Sequence, residues 1–590
     1  MKLYSNSKIL ILIACGVLSQ LAGCNRQSTQ TPKTTPKVAK QTVTSAESAS
    51  DEQVAPITDK EVAAIIAWQK QLDERLVFNP PKIPGGLKQI PKWLQDDLPF
   101  DLDSLNIPDE DNGEQAYYVA MLKNDFSDNF ALLPELVAQG DVNVEDRPAE
   151  IKAAYKLYRR IWDAKYVVLD DIYEGKKLEG EMLRQAKLVA DSLETVIVCL
   201  RAAQSKPNTF FHRPFRFDSN ETVLLAGREF GRTILIAANS SEDTEVAIDL
   251  FEILLRTERD LRTLESYIGQ LNCRAANLMA FQDILRPLLK RTLSNQQLDR
   301  TISIIRESLK AEETKNRFMQ AIGYEYIAMR QLFHELETGI FKMSDSTFDY
   351  LSIPKDCPAI LQAHNTLVLL EIYRTNDEEV KKTIEQTSAS SPEIKQKADE
   401  LLDSAKSNPI SGAQVASAIL TPVIFAEASG LTAEQFDFEN SILKKRYADC
   451  QTAIALPFEQ RSKAIEHLSE NWTLDDSWKK TKFLKFYKPH EHLAGLDTRS
   501  RVVAAGYLTL VALKKWQLNH EGALPKDVSE ALAYAKITEK VNDPYSSKPF
   551  KILPKESAVY SVGTNGVDDG HKNFVTPDDS WVGGAEILFD

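Results

Sequence analysis

A chain of 590 residues exceeds the size at which one hydrophobic core keeps growing, so two to four domains are expected. Its 71 basic and 85 acidic residues leave a formal charge of −14, which argues against nucleic acid as a partner, since non-specific binding needs a basic surface. Six cysteines without a CxxC pair exclude a zinc ribbon or a dithiol redox motif.

At the N-terminus, Lys2 and Lys8 form a positive n-region and Ile9 to Val17 an apolar h-region, with small residues after it, the order of a secretory signal. The apolar stretch of about 13 residues falls short of the roughly 20 that span a bilayer. It ends in Leu21-Ala22-Gly23-Cys24, which resembles the lipobox of bacterial lipoproteins. The resemblance implies a signal peptide over residues 1–23, cleavage before Cys24, lipidation of Cys24, and a mature chain held to a membrane through that residue. Asn25 comes after the cysteine where enteric bacteria use Asp to retain lipoproteins at the inner membrane, so by resemblance the destination is the outer membrane, on the periplasmic or surface side of the cell envelope. Several acyl chains on one cysteine meet the requirement for more than one chain in stable anchoring.

Residues 24–58 are dominated by Ser, Thr, Gln, Lys, Ala and Pro, with almost nothing large and apolar to offset ordering entropy. They read as a disordered tether. About 34 residues at roughly 3.3 Å each would hold the folded part on the order of 100 Å from the lipid.

A helical pattern begins at Asp59 with Val62, Ile65, Ile66 and Leu72, is interrupted by a Pro-rich stretch from Pro80 to Pro108, and returns near Gln115. Residues 59–146 are thus expected to be a helix plus a Pro-rich segment packing on the helical domain. That domain, residues 147–493, reads as mainly α, built of helical hairpins, solenoid-like or irregular. Within it, Ile268, Leu271, Ala275, Leu278, Phe281 and Leu285 make one apolar helix face that is expected to end near Pro287. Ser240-Ser241-Glu242-Asp243 supplies N-cap candidates for a helix carrying Val246, Leu250, Ile253 and Leu254. Cys199 and Cys273 sit in apolar helical contexts and read as buried thiols, while Cys357 and Cys450 leave disulfide pairing open. The stretch from Glu221 to Leu309, with Ala247-Ile-Asp-Leu-Phe-Glu-Ile-Leu-Leu-Arg and Leu293-Ser-Asn-Gln-Gln-Leu, resembles uncharacterised helical proteins of planctomycete-type bacteria; the resemblance implies a helical scaffold and no activity.

Residues 494–590 change character. Arg499 to His520 reads as a helix apolar almost all round from Val502 to Leu513, hence buried, and stopped by Gly522 and Pro525. Lys548 to Ile552 and Ala558 to Gly563 read as two short strands, closed by an acidic glycine loop. The order of helix, Asn542-Asp543-Pro544-Tyr545 turn, Lys548-Pro549, Tyr560-Ser561-Val562-Gly563 and Asp/Gly-rich loop resembles the globular domain of type II secretion major pseudopilins. That resemblance implies a small α+β module and calcium in the last loop, with Asn565 at a family aspartate and Asp578-Asp579 as the acidic pair. Asp568 and Asp569 add oxygen donors of the kind a hard cation takes. The long hydrophobic N-terminal helix of pilins is replaced here by the lipobox and other sequence, which argues against polymerisation.

The histidines yield no catalytic motif. His334-Glu335 has no second His at zincin spacing, and His490-Glu491-His492 reads as a polar turn before the buried helix. Phe211, His212 and Arg213, within the aromatic and basic run from Phe210 to Phe217, are either a small-ligand pocket or a packed loop. GxSxG and phosphate-loop motifs are absent. The expected function is a non-enzymatic scaffold, anchored in the envelope, whose partners are cell-envelope or secretion proteins. The alternative is an envelope hydrolase or carbohydrate-active protein with its site between the helical and C-terminal parts.

Overall fold

The computed structural model describes residues 56–75, 111–124, 149–207, 222–262, 267–310, 431–456, 490–563, 566–568, 574–575 and 586–589, with single positions at 94, 209, 323–337 and 460–484. These residues are mainly helical and carry one small sheet. Helix α1 (Asp59–Arg75) is followed by α2 (Glu114–Asn124), α3 (Ala149–Tyr173), α4 (Gly180–Ser192) and α5 (Glu194–Gln204). Next come α6 (Thr222–Ser240), α7 (Thr244–Leu261), α8 (Tyr267–Leu278), a π-helical segment (Met279–Leu285), α9 (Arg286–Leu289) and α10 (Asn295–Ser308). Later in the chain, α11 spans Ala433–Ala455, α12 His490–Asn519 and α13 Val528–Tyr534.

Local chemistry explains several boundaries. Thr58 and Glu61 exchange bonds at the start of α1, each side chain satisfying the other's backbone N–H, as a capping box does. Asp243 caps α7 by accepting from Glu245 N–H (2.8 Å), as the run before it leads one to expect. Leu250, Ile253 and Leu254 of that helix are buried, but Val246 is exposed, and the buried face of the first turn is carried by Ala247 and Ile248 instead. Ser294 and Gln297 form a second capping box at α10.

Helix α6 is the centre of the body, packing against α2, α3, α4, α7 and α8. Its Phe230, Ile234, Leu235 and Ile236 are fully buried. Gly231 permits the close approach of the π segment, since a Cβ there would lie 2.8 Å from Met279 Sδ. The helical run that carries the apolar face from Ile268 to Leu285 passes through the π segment and ends at Leu289, near Pro287 as its sequence suggests. Proline cannot donate to the carbonyl four residues back. That carbonyl, of Asp283, accepts instead from Asn239 Nδ2 on α6 (3.0 Å). A tertiary hydrogen bond thus gives that carbonyl a partner.

Helix α12 begins earlier than expected. His490, Glu491 and His492 form its first turn and not a loop before it. Every residue from Val502 to Leu513 is buried, so this helix is enclosed on all sides. It packs on α8 and α10 of the body and, from the other direction, on α13 and the sheet. Glu521 in a left-handed conformation (φ 53°) and a bond from Gly522 N–H to Gln517 O (2.9 Å) close the helix in a Schellman manner.

The sheet has the order β1-β2-β4-β3, formed by Lys551–Leu553, Ala558–Ser561, Glu586–Phe589 and Phe574–Val575 respectively. β1, β2 and β4 pair antiparallel, with Lys551 opposite Tyr560 and Val559 opposite Phe589, and β3 runs parallel to β4. The two strands expected from the sequence are β1 and β2; β3 and β4 are additional to that expectation. Val559, Ile587 and Phe589 belong to the same hydrophobic cluster as the body helices. A line of aromatic rings runs through it: Phe251 (α7), Phe281 (π segment), Tyr507 (α12), Phe589 (β4) and Phe550, with successive centroids 5.4–6.0 Å apart. Polar ties reinforce this junction. Arg306 pairs with Glu539 through both carboxylate oxygens, Lys515 with Asp299, and the amides of Asn295 and Asn519 bond reciprocally.

A second packing group surrounds α11, where Phe436 meets Phe333, Tyr447 meets Tyr326, and Glu439 accepts from Leu484 N–H (3.0 Å). Cys273 and Cys450 are buried thiols; Cys199 is only half-buried. No helix among the described residues is long and apolar enough to cross a membrane.

Candidate functional site

Pro56, Ile57 and Thr58 fall within the last positions of the expected tether, residues 24–58, but they belong to the folded body. Ile57 is fully buried, and one side chain grips its backbone from both sides: Ile57 N–H donates to Gln185 Oε1 (2.8 Å) and Gln185 Nε2 donates to Ile57 O (3.2 Å). Arg160 on α3 adds a bond to Pro56 O (3.3 Å) and another from Nε to Glu61 Oε1 (3.1 Å). Partial burial pushes the Glu61 carboxyl up, but the bonds from Arg160 and Thr58 outweigh it and hold its pKa below the ordinary carboxylate value. The segment entering α1 is therefore fastened to α3 and α4, and the folded body begins before the expected boundary at 58, because Ile57 is an apolar side chain with a buried place to occupy.

At the C-terminal end, the two sequence motifs that carry the pseudopilin resemblance meet at one atom group. The Asp543 carboxylate is 1% exposed and accepts from Tyr545 N–H (3.1 Å), Ser546 Oγ (3.1 Å), Ser561 Oγ (2.9 Å) and Val562 N–H (3.2 Å). The Asp-Pro turn is thus bolted to the Tyr-Ser-Val-Gly end of β2. Burial pushes the Asp543 pKa up, against the four donated bonds that lower it. All its near lone-pair directions are occupied, so its role is to set the turn. Next to it the Tyr545 phenol is pushed up by burial and drawn down by the Arg499 and Arg274 guanidiniums, while Arg499 is itself lowered by burial. Arg274 on α8 also donates to Ser500 Oγ on α12 (3.4 Å).

Of the calcium candidates, Asp568 alone lies among the described residues, and its carboxylate pairs with Lys551 Nζ on β1. Asn565, Asp569, Asp578 and Asp579 lie outside them, as do Cys24, Phe211, His212, Arg213 and Cys357. Among the described residues no group of three or more His, Cys, Asp or Glu side chains converges on a point. The donor set of a calcium ion is therefore not assembled by the described residues, and the one donor present already faces an ammonium. His334 is a half-buried helix residue.

Sequence reasoning missed three features. Gln185 carries no motif, since its role depends on a residue 128 positions away. Glu258 and Asp260 at the end of α7 are buried carboxylates (3% and 4% exposed). Glu258 lies four residues after Leu254 and seven after Phe251, on the apolar face, and that placement was a readable signal. Tyr117 on α2 is fully buried and donates to Asp260 Oδ2 (2.9 Å); burial and the neighbouring Asp260 charge both push its pKa well up.

Compared with known protein families, with curated proteins and with solved structures, the chain finds no match in any of the three.

Proposed function

We propose that this protein is a cell-envelope lipoprotein, anchored through a lipid on Cys24, that acts as a rigid, tethered scaffold for protein partners of the envelope or of secretion. The observation that carries the reading is the junction at Ile57. A segment too polar to fold by itself leads directly into a fully buried residue clamped by Gln185 and Arg160. A chain attached this way transmits position, and load, from the anchor into the folded body. The shared core of body and sheet supports the same reading, because a scaffold presents its faces in a fixed arrangement only if its parts do not swing. The C-terminal α+β unit is read as pseudopilin-like. Its support is the bond set on Asp543, which gives the Asp-Pro turn and the Tyr-Ser-Val-Gly end of β2 a common purpose.

The test is crosslinking in cells of the intact protein beside a Cys24→Ala form, with mass spectrometry of the captured proteins. Recurrent capture of the same envelope or secretion components by the anchored form alone is the expected result. Equal capture profiles from both forms, or labelled lipid that does not enter the intact protein, would overturn the reading. Calcium is tested separately on the full chain: a melting temperature that does not change between excess Ca²⁺ and chelator removes calcium from the account.

A further inference from the structure

We propose that the ring stack at the end of α12 is a proton-sensitive latch, in which protonation of His520 tightens the closure of the helix and its contact with α13. The inference is independent of the protein-binding reading above and concerns how firmly the C-terminal unit is held.

Trp516 and His520 are four residues apart, so they fall on one side of the last turn of α12. Their rings are stacked, with centroids 3.8 Å apart and planes 9° from parallel. Tyr534 on α13 meets both edge-on, at 5.4 Å from Trp516 and 5.1 Å from His520. Trp516 and His520 are half-buried and Tyr534 is exposed, so protons reach the stack. His520 Nδ1 lies 2.8 Å from Trp516 O. A carbonyl only accepts, so Nδ1 carries the proton of the neutral ring and a second proton goes to Nε2. The bond to the carbonyl therefore survives a change of charge, and the ring keeps its place in both states.

What changes is the strength of the contact. An imidazolium over the indole face gains a cation–π attraction that the neutral ring lacks. It also sits where α12 ends, among the carbonyls of the last turn, whose partial negative charge favours a cation. Its bond to Trp516 O becomes charge-assisted, and such bonds are roughly twice as strong as neutral ones. Half-burial opposes the charge, but only in part, since the residue is not fully enclosed.

The charged groups on the elements around the stack are balanced. On α13 and its flanks, Asp527 caps the helix, Glu530 accepts from Lys526 N–H (2.7 Å), and Lys536 follows Tyr534. Glu521 stands in the closing turn, Lys514 precedes the stack, and Lys515 pairs with Asp299. Lys555 and Glu556 flank Ser557, the partner of Gln517. Carboxylates and ammoniums ordinarily keep their charge between about pH 5 and 8, the window in which histidine titrates. The added stabilisation belongs to the protonated ring, so it is present at the acid side of that window and is lost as pH rises.

The test is hydrogen exchange read by mass spectrometry on the full chain at about pH 5.5 and about pH 8, normalised to the intrinsic exchange rates at each pH. Both lie above the ordinary 4.5 below which the ties of Glu61 and Glu539 begin to fail. Amides from Gln517 to Ala523 and in α13 are expected to be protected roughly two- to fivefold more at the lower pH, the size of an ordinary charge effect at a helix end. His520→Phe keeps a ring on Trp516 without the charge, and His520→Gln removes both; each is expected to show equal protection at the two pH values. Trp516→Leu, which keeps the histidine and removes its platform, is expected to show a smaller pH difference than the parent. Equal protection at both pH values in the parent, an undiminished difference in the two His520 variants, or an undiminished difference in Trp516→Leu would each overturn the latch.

Discussion

Among the described residues, helices α6 and α12 are both deeply buried, and they become buried in different ways. Helix α6 is covered by five helices of the body, α2, α3, α4, α7 and α8, and satisfies polar positions through tertiary bonds, as when Asn239 reaches the Asp283 carbonyl. Helix α12 presents twelve consecutive buried residues, from Val502 to Leu513, and no single partner can cover such a surface. It is enclosed only because α8 and α10 close one side and α13 with the sheet closes the other. The C-terminal sheet is therefore a wall of the common core. With each large apolar side chain contributing about 1.5–3 kcal/mol on full burial, neither region has reason to unfold while the other stays intact.

The comparison breaks most severely at Asp543. Asp543→Ala removes the acceptor for four donors, of which Ser561 Oγ and Val562 N–H lie buried at the end of β2. A loss of roughly 3 kcal/mol or more is expected, and it should lower the denaturation midpoint of the α6 region as well as that of the sheet. Loss of the sheet's signal with the body's midpoint unchanged would separate the regions.

Gly506→Ala attacks the same wall from within α12. A Cβ there would fall 2.4 Å from the Phe589 ring, so about 1–3 kcal/mol of strain is expected. Phe589→Leu in the same chain should recover part of the loss, and a double-mutant cycle measures how much.

Acid should loosen the ties at both ends of the molecule. Glu61 and Glu539 have folded pKa values below the ordinary 4.5; burial raises each, and the bonds from Arg160 with Thr58, and from Arg306, outweigh it. Their stabilisation is complete above 4.5 and is lost as pH falls through the lowered folded values. Asp543 has the opposite sign, because its raised pKa makes falling pH favourable until its ordinary 3.8 is reached. Thermal melts between pH 6 and 3 should fall less steeply for Glu61→Gln with Glu539→Gln than for the parent. Both pairs are partly exposed, so 1 M salt should shrink the difference.

The smallest effect is a gain. Glu521 closes α12 in a left-handed conformation that glycine adopts without cost, so Glu521→Gly should add about 0.5–1 kcal/mol, visible as a small rise in the single melting transition.

Much of this architecture was legible where the deciding interaction is local. The cap at Asp243, the start of α1 and the all-round apolar run of α12 depend on residues within a turn or two of one another. The hydrogen bond from Asn239 to the Asp283 carbonyl was not legible, because its donor comes from α6. Strand β4 is a short run near the chain end; the alternation that buries Ile587 and Phe589 gains meaning only beside β2. At the candidate sites, the Asp-Pro and Tyr-Ser-Val-Gly motifs could be read individually. Their meeting on Asp543, and the grip of Gln185 on Ile57, are long-range facts that spacing does not encode.

Native-state hydrogen exchange across increasing denaturant tests the common core most directly, by tracking the slow amides of α6, α12 and β2 together. The account predicts that all three lose protection in one global opening of equal free energy. An opening of α12 and β2 at lower free energy, with α6 still protected, would contradict it.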